Sequence, residues 1–304
     1  MRRLLVTGLS GFVGPHVRAA LGSGVGSGWT LHAPEATYDL RLTASLDALL
    51  STGPPDAVLH LAAQSFVPAA FSDPRSTFEI NFGGTLNLLE ALKRAGFRGR
   101  FVYVSSGDVY GLVPETELPV SESRPPNPRN PYAVSKVAAE ALCLQWSASE
   151  GLDAVIARPF NHIGPGQDER FVVASFARQV AMMRARLQAP TLDVGDVDVT
   201  RDFTDVDDVV RAYFALIERG RTGEIYNVAS GCEIVVRDLL LRLCRIGGVE
   251  VALRQDAARL RPAEQRRMCA AVDRIRDATG WSPSIDLEDT LARTLAYWDA
   301  RTTA

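Results

Sequence analysis

Several features are scarce in these 304 residues, and each scarcity excludes something. The four cysteines (Cys143, Cys232, Cys244 and Cys269) are scattered with no CxxC pair, which argues against a disulfide framework or a thiolate metal site. Reduced thiols and no metal are expected. Neither sign of charge dominates: 33 Lys plus Arg stand against 36 Asp plus Glu, so no overall field draws in nucleic acid or an anionic membrane. An anionic ligand must therefore meet local positive groups. No long apolar run of a signal peptide or membrane span follows Met1-Arg2-Arg3, and the cytoplasm is the default location. Repeats and low-complexity tracts are absent as well.

What is present is an α/β pattern, with 46% apolar residues to build a core. Leu4-Leu5-Val6 ends at Gly8 and passes into a helical stretch from Phe12 to Leu21. Ala57 to Leu61, Phe101 to Val104 and Ala154 to Ala157 are continuous apolar runs, the pattern of parallel strands buried on both faces. Between them lie helical segments at Thr77 to Ala95 and at Tyr132 to Ser147, the latter behind an Asn130-Pro131 start signal. A Rossmann-like doubly wound parallel sheet is expected. Beyond Pro159 come a Gly/Pro loop, a helix from about Phe171 to Leu187, short strands near Leu192 and Arg201, a helix from Val206 to Arg219, a strand at Glu224 to Val228, and helices at Val236 to Cys244 and Leu287 to Trp298. The division expected is a dinucleotide-binding unit of residues 1–165, to which 196–230 return, and a smaller C-terminal α/β unit of 166–195 and 231–304 that binds substrate.

The loop Gly8-Leu9-Ser10-Gly11-Phe12-Val13-Gly14 has GxxGxxG spacing. The first glycine permits the tight turn, the second lets backbone approach a pyrophosphate, and the third lets helix pack on strand. The helix N-terminus then offers free N–H groups to anionic oxygen. An acid after the second strand (about Trp29 to Ala33) would receive the ribose hydroxyls of NADH, and Glu35 is the only one nearby. If Glu35 faces away, a 2′-phosphate fits, so NADPH and NADH both stay open. Asp39-Leu40 is better placed for the adenine.

Tyr132-Ala133-Val134-Ser135-Lys136 puts a phenol and an ammonium one helical turn apart. A neighbouring ammonium favours phenolate, so Lys136 is expected to lower the Tyr132 pKa. Ser106, in the segment Ser105 to Gly111 at the end of a central strand, can hydrogen-bond a reacting carbonyl oxygen. Taken singly, each of these could be an incidental pair or a turn cap. Together with the glycine loop they form one carbonyl site.

Over essentially its whole length the chain resembles an extended short-chain dehydrogenase/reductase of the nucleotide-sugar type. The resemblance rests on the glycine loop, Asp39-Leu40, His60-Leu61-Ala62-Ala63-Gln64, Asn81 before Gly84-Thr85, the Ser106 segment, Tyr132 with Lys136, and Arg158-Pro159-Phe160-Asn161-His162. It implies that Ser10, Phe12 and Val13 of the loop contact the cofactor, that Leu61 to Ala63 with Gln64 and Asn81 line it, and that Phe160 to Ile163 approach the nicotinamide. It also implies that Tyr132 and Lys136 bind the nicotinamide ribose as well as acting in catalysis. Finally, it implies a homodimer, in which the helices carrying Tyr132 and starting near Thr77 pair with their copies.

Phe160-Asn161-His162, Phe171-Val172, Arg201-Asp202-Phe203 and Arg261-Pro262-Ala263-Glu264 are similar to the GDP-mannose 4,6-dehydratase branch and its reductase relatives. A GDP-sugar substrate is implied, with Asn161, Val172, Arg178, Arg201, Arg261 and Glu264 as contacts beside Ser106, Gly107 and Asp108. Guanidinium pairs bidentately with phosphate, although Arg201 and Arg261 could instead pair with nearby acids such as Asp202 or Glu264. Dehydratases need a base and an acid directly after the catalytic hydroxyl residue. At those positions stand Gly107, with no side chain, and Asp108, one methylene short of the expected Glu. Dehydration looks disabled, while reduction of a 4-keto group by a bound hydride donor does not. The implied reaction is GDP-4-dehydro-6-deoxy-D-mannose to GDP-D-rhamnose. A residual dehydratase using Asp108, a 4-epimerase that recycles its cofactor, and a non-catalytic dinucleotide sensor remain as alternatives.

Overall fold

The computed structural model describes residues 1–22, 24–33, 37–256 and 265–302. In chain order the first part contains β1 (Arg2–Thr7), α1 (Val13–Gly22), β2 (Trp29–Leu31), α2 (Thr43–Leu49), β3 (Ala57–His60), α3 (Val67–Ser72), α4 (Pro74–Phe78), α5 (Gly84–Arg94), β4 (Arg100–Val104), α6 (Pro131–Glu150) and β5 (Asp153–Pro159). There follow β6 (Asn161–Ile163), α7 (Val172–Arg184), β7 (Thr191–Val194), β8 (Thr200–Asp205), α8 (Val206–Arg219), β9 (Ile225–Val228), β10 (Glu233–Val235), α9 (Val236–Gly247), β11 (Ala252–Gln255), α10 (Asp273–Thr279) and α11 (Leu287–Thr302).

Among the described residues a six-stranded sheet has the order β2-β1-β3-β4-β5-β9, every pairing parallel. Successive strand residues point to opposite faces, so each apolar run feeds two cores. Leu4, Val6, Leu59 and Val102 pack with Val17 of α1 and Val209, Tyr213 and Leu216 of α8. Leu5, Val58, Phe101 and Tyr103 pack on the other side with Leu46 of α2, Leu88 and Leu92 of α5 and Ala139 of α6. Strand order reverses between β1 and β3, which opens a crevice at their carboxyl ends, the usual place for a ligand in such sheets.

One helix differs from the sequence reading. Thr77 to Ala95 is broken by a π-helical turn at Glu79–Gly83 between α4 and α5. The Gly83-Gly84 pair has low helix propensity, and the wider turn carries Asn81 into the interior, where its side chain is bonded on three sides. By contrast α6 starts where expected: Asn130 caps it through the Ala133 N–H at 2.7 Å, Pro131 fills the first turn, and Gly151 ends it at φ +70°.

A second core lies between α7, α9 and α11, with Leu192, Val194 and Phe203 from the short strands. Here β8 runs parallel to β6 and antiparallel to β10, while β7 and β11 form a parallel pair. The chain after the second unit's strands returns to the main sheet, since Ile275 of α10 and Trp281 pack with α8. No helix among the described residues is long and apolar enough to cross a membrane.

Beneath the carboxyl ends of β4 and β5 a fully buried Arg158 makes two bonds to Glu140 of α6, 2.9 and 2.7 Å, and its guanidinium lies 4.8 Å from the centroid of the Tyr110 ring. Removing one member strands the other charge away from water. Glu140→Ala should cost about 3–5 kcal/mol of unfolding free energy in urea titrations; a loss under ~1 kcal/mol would show the pair to be dispensable.

Candidate active site

The first turn after β1 is shaped by close backbone approach. Gly8 has φ +77°, and a Cβ there would lie 2.9 Å from the N and Cα of Ala62. A Cβ on Gly14 would run into the Leu9 carbonyl, whereas one on Gly11 would meet only the Gly8 oxygen at 3.3 Å. The middle glycine therefore presents bare backbone at the start of α1, which is the cradle a pyrophosphate needs beside free N–H groups. The tested residues fit a dinucleotide.

The β3 side of the crevice is tied to the same loop. Thr7 Oγ1 accepts from the Ala62 N–H at 3.1 Å and bonds His60 Nδ1 at 2.6 Å, and His60 Nε2 meets Thr85 Oγ1 at 3.0 Å. Burial holds His60 neutral, its pKa pushed down to about 3. Next along, Asn81 accepts from Gln64 N at 2.8 Å and donates to Gln64 O at 3.0 Å and Ser135 Oγ at 2.9 Å. Leu61, Ala62, Ala63 and Gln64 thus form a fixed wall.

Tyr132, Lys136 and Ser106 do come together. Ser106 caps the 3₁₀ turn Gly107–Tyr110 through the Asp108 N–H at 3.1 Å, and its hydroxyl acts on the Tyr132 phenol. Lys136 is buried, donates to the Val104 carbonyl at 2.8 Å, and lies 5.0 Å from the Tyr103 and 5.9 Å from the Tyr132 ring centroids. Burial pushes Lys136 down to about 8, with Glu140 one turn further along α6 opposing the fall. The Tyr132 pKa moves opposite to the sequence expectation. Burial, then the charge of Asp108, pushes the phenol well above its ordinary value, and only the Ser106 hydroxyl pulls it down. Desolvation outweighs a lysine whose proton is engaged by backbone.

Phe160 is buried, 6.1 Å from the Tyr110 ring, and its ring would lie 3.1 Å from any Cβ at Gly107. His162 stacks on Phe12 of the glycine loop with centroids 5.8 Å apart, and Ile163 is buried. Asp39 is turned to Arg41, whose guanidinium holds its carboxylate down to about 2, and Leu40 is in the core against Gly84. Glu35 lies outside the described residues, as do Arg261 and Glu264.

Of the other expected substrate contacts, Asn161 is exposed at the head of β6 and Val172 is exposed at the start of α7. Arg178 pairs with Glu169 at 2.8 Å. Arg201 does not use Asp202. Its guanidinium donates to the carbonyls of Thr200 at 2.7 Å and Gln265 at 2.8 Å, while Asp202, buried, accepts from Ser230, Gly231 and Ala270. Sequence reasoning missed Glu140 as the partner of Arg158. The signal was the spacing of Tyr132, Lys136 and Glu140, each four residues apart on one helix face. Among the described residues no group of His, Cys, Asp and Glu is placed to hold a metal ion.

Residues 30–294 match the family described as GDP-mannose 4,6 dehydratase. The chain is 53% identical over 300 residues to GDP-6-deoxy-D-mannose reductase of Pseudomonas aeruginosa, covering 99% of this chain and 98% of that protein. It is 33% identical over 317 residues to UDP-glucose 4-epimerase of Mycolicibacterium smegmatis, covering 97% and 98%. The solved structure of RMD from Pseudomonas aeruginosa complexed with NADPH superposes with a TM-score of 0.95 at 52% identity, over 99% of this chain and all of that one. On motif, sheet topology and these likenesses together, the chain belongs to the GDP-mannose 4,6 dehydratase family of nucleotide-sugar short-chain dehydrogenases/reductases.

Proposed function

We propose that this protein is an NADPH-dependent oxidoreductase that reduces the 4-keto group of GDP-4-dehydro-6-deoxy-D-mannose to give GDP-6-deoxy-D-mannose (GDP-D-rhamnose). The observation that carries the reading is a buried Tyr132 with the buried Lys136 ammonium 5.9 Å from its ring, beside a dinucleotide cradle, in a chain 53% identical to a reductase of that name. When bound, NADPH supplies the hydride to C4. The residues that would hold it are Gly8, Ser10, Gly11, Phe12, Val13 and Gly14 at the glycine loop, with the Leu61-to-Gln64 wall and the Phe160-to-Ile163 segment. Its solved relative carries the same cofactor.

Reduction needs a proton for the C4 oxygen, and Tyr132 is held in its O–H form by burial. Ser106 orients the carbonyl through its hydroxyl. Lys136 places positive charge beneath the phenolic ring, where negative charge develops as the proton leaves. Position 107 has no side chain, and Phe160 packs where one would stand, so the first of the two acid–base side chains that dehydration requires has no place there. The second unit, built on α7, α9 and α11, would hold the GDP moiety, with Asn161, Val172, Arg178 and Arg201 on its border. A homodimer fits this reading: a groove at α4 and the start of α6 is lined by Pro74, Phe78, Pro128, Pro131 and Val134, with Arg129 and Asn130 beside them.

Purified protein should oxidise NADPH on addition of GDP-4-dehydro-6-deoxy-D-mannose and should not release water from GDP-mannose; the reverse pattern would sink the assignment. Tyr132→Phe should lower kcat by about 10²–10⁴-fold while the NADPH Kd stays within a few-fold. Unchanged turnover would remove Tyr132 from the mechanism.

The pH dependence follows from Lys136. Its value is depressed to about 8, so its ammonium is present below that pH and lost above it. Because Tyr132 stays protonated throughout this range, kcat/KM should fall as pH rises through about 8. Stability should move the other way. The unfolded chain keeps its lysine protons up to about pH 10.5, so the cost of burying this ammonium fades between about pH 8 and that value. Stopped-flow NADPH oxidation and urea unfolding across pH check the two signs.

A further inference from the structure

His16 stands in the first turns of α1 and is not among the residues the motif assigns to cofactor or substrate. Both of its ring nitrogens face acceptors: Nδ1 lies 2.6 Å from Asp207 Oδ1 and Nε2 lies 2.9 Å from the Pro165 carbonyl oxygen. A carbonyl and a carboxylate can only accept, so the two bonds exist together only when both nitrogens carry hydrogen, as in the imidazolium. The neutral ring can keep one of them and must give up the other.

Each bond reaches a different part of the molecule. Pro165 belongs to the loop Gly164-Pro165-Gly166, which joins the nicotinamide-side segment of β6 to α7. Asp207 opens α8 and is shared with Arg293 of α11 at 2.7 Å, while Arg293 and Thr290 both bond Asp205 at the end of β8. Phe12, the residue just before α1, lies edge-on to the His16 ring at 5.6 Å and flat on His162 at 5.8 Å. Three rings, the His16–Asp207 bond and the ion pairs of Arg293 with Asp207 and Asp205 therefore connect the glycine loop, β6 and the second unit's last helix.

We propose that His16, as an imidazolium, is a positioning residue that clamps the 164–166 loop and, through Asp207 and Arg293, helix α11 onto the cofactor-binding end of α1, so that dinucleotide affinity depends on its charge. This rests on the dinucleotide reading above. The groups facing His16 are Asp207 and Asp205 from β8 and α8, Arg293 from α11 behind Asp207, and His162 from β6. The ring's pKa is raised from its ordinary 6.5, because the bonds to Asp207 and Pro165 and the two carboxylate charges together outweigh burial. Asp207 responds in kind, held down to about 2 chiefly by its bond to His16. Since the folded value lies above the unfolded one, the clamp is fully made below the ordinary imidazole pKa. It is lost as pH rises through the raised one.

The test is a pair of measurements. First, NMR titration of the four histidine side chains of the unliganded protein should find one, lost in His16→Asn, with a midpoint above 6.5. That midpoint should fall in Asp207→Asn. A His16 midpoint at or below the ordinary value would overturn the proposal, and this readout needs no cofactor. Second, the NADPH Kd, read by nucleotide fluorescence, should be about tenfold weaker in His16→Asn than in wild type near pH 6, an energy of ~1.4 kcal/mol. The ratio of the two should shrink towards one as pH rises past the His16 midpoint found by NMR, where wild type has lost its own clamp. Taking the ratio cancels titration of the nucleotide phosphate. A ratio that stays constant across pH would refute the charge dependence. If wild type fails to bind NADPH at all, it is the cofactor reading that fails, while the NMR titration still decides the clamp.

Discussion

Everything at the active site depends on how closely two backbone segments pass at the top of β1 and β3. Gly8 leaves 2.9 Å between the place of a missing Cβ and the Ala62 backbone, and a hydrogen-bond chain locks that approach. Thr85 Oγ1 donates to the Asn81 carbonyl at 2.6 Å, so it can only accept from His60, and Nε2 must carry the ring hydrogen. Nδ1 is then the acceptor for Thr7, whose oxygen is left to accept from Ala62 N–H. The chain runs in one direction from Ala62 to Asn81, and the neutral state of the buried imidazole keeps it so. Asn81 in turn grips Gln64 and Ser135, which carries the constraint from the Leu61-to-Gln64 wall to the helix of Tyr132.

How far this was legible in sequence varies with the physics involved. Parallel strands buried on both faces write themselves as continuous apolar runs, and the Asn130-Pro131 start of α6 is a purely local signal, so both were readable. The π-turn at Glu79–Gly83 was not, because its cause is tertiary: Asn81 is wanted inside by Gln64 and Ser135. Asp202 likewise sits beside Arg201 in sequence, yet strand alternation turns the two side chains apart. The acid is spent on the loop after β9 and on Ala270 instead.

The direction of the Tyr132 shift is the clearest case of spacing that misleads. A helix places Lys136 one turn from Tyr132, and Coulomb reasoning on that pair alone predicts a more acidic phenol. Burial of the ring and the negative Asp108 oppose this, and the lysine is bonded to Val104. The outcome suits one direction of reaction. An alcohol oxidation would begin with phenolate, whereas a ketone reduction begins with the phenol, the form that the fold itself enforces.

The choice of cations around this tyrosine follows the same logic. Two cations lie buried along α6, Lys136 and the Arg158 paired to Glu140, and they behave differently on desolvation. The arginine keeps its charge, its pKa raised by the Glu140 bonds, and acts as a permanent strut under Tyr110. Lysine is a compact charge that yields to desolvation, and Lys136 is brought to about 8. The chain has only two lysines, Lys93 and Lys136, and Lys93 pairs with Glu150 on the surface. Titratable ammonium inside the fold is thus confined to the one position beside the Tyr132 phenol, and an arginine there would hold its charge at every pH and could not shed a proton.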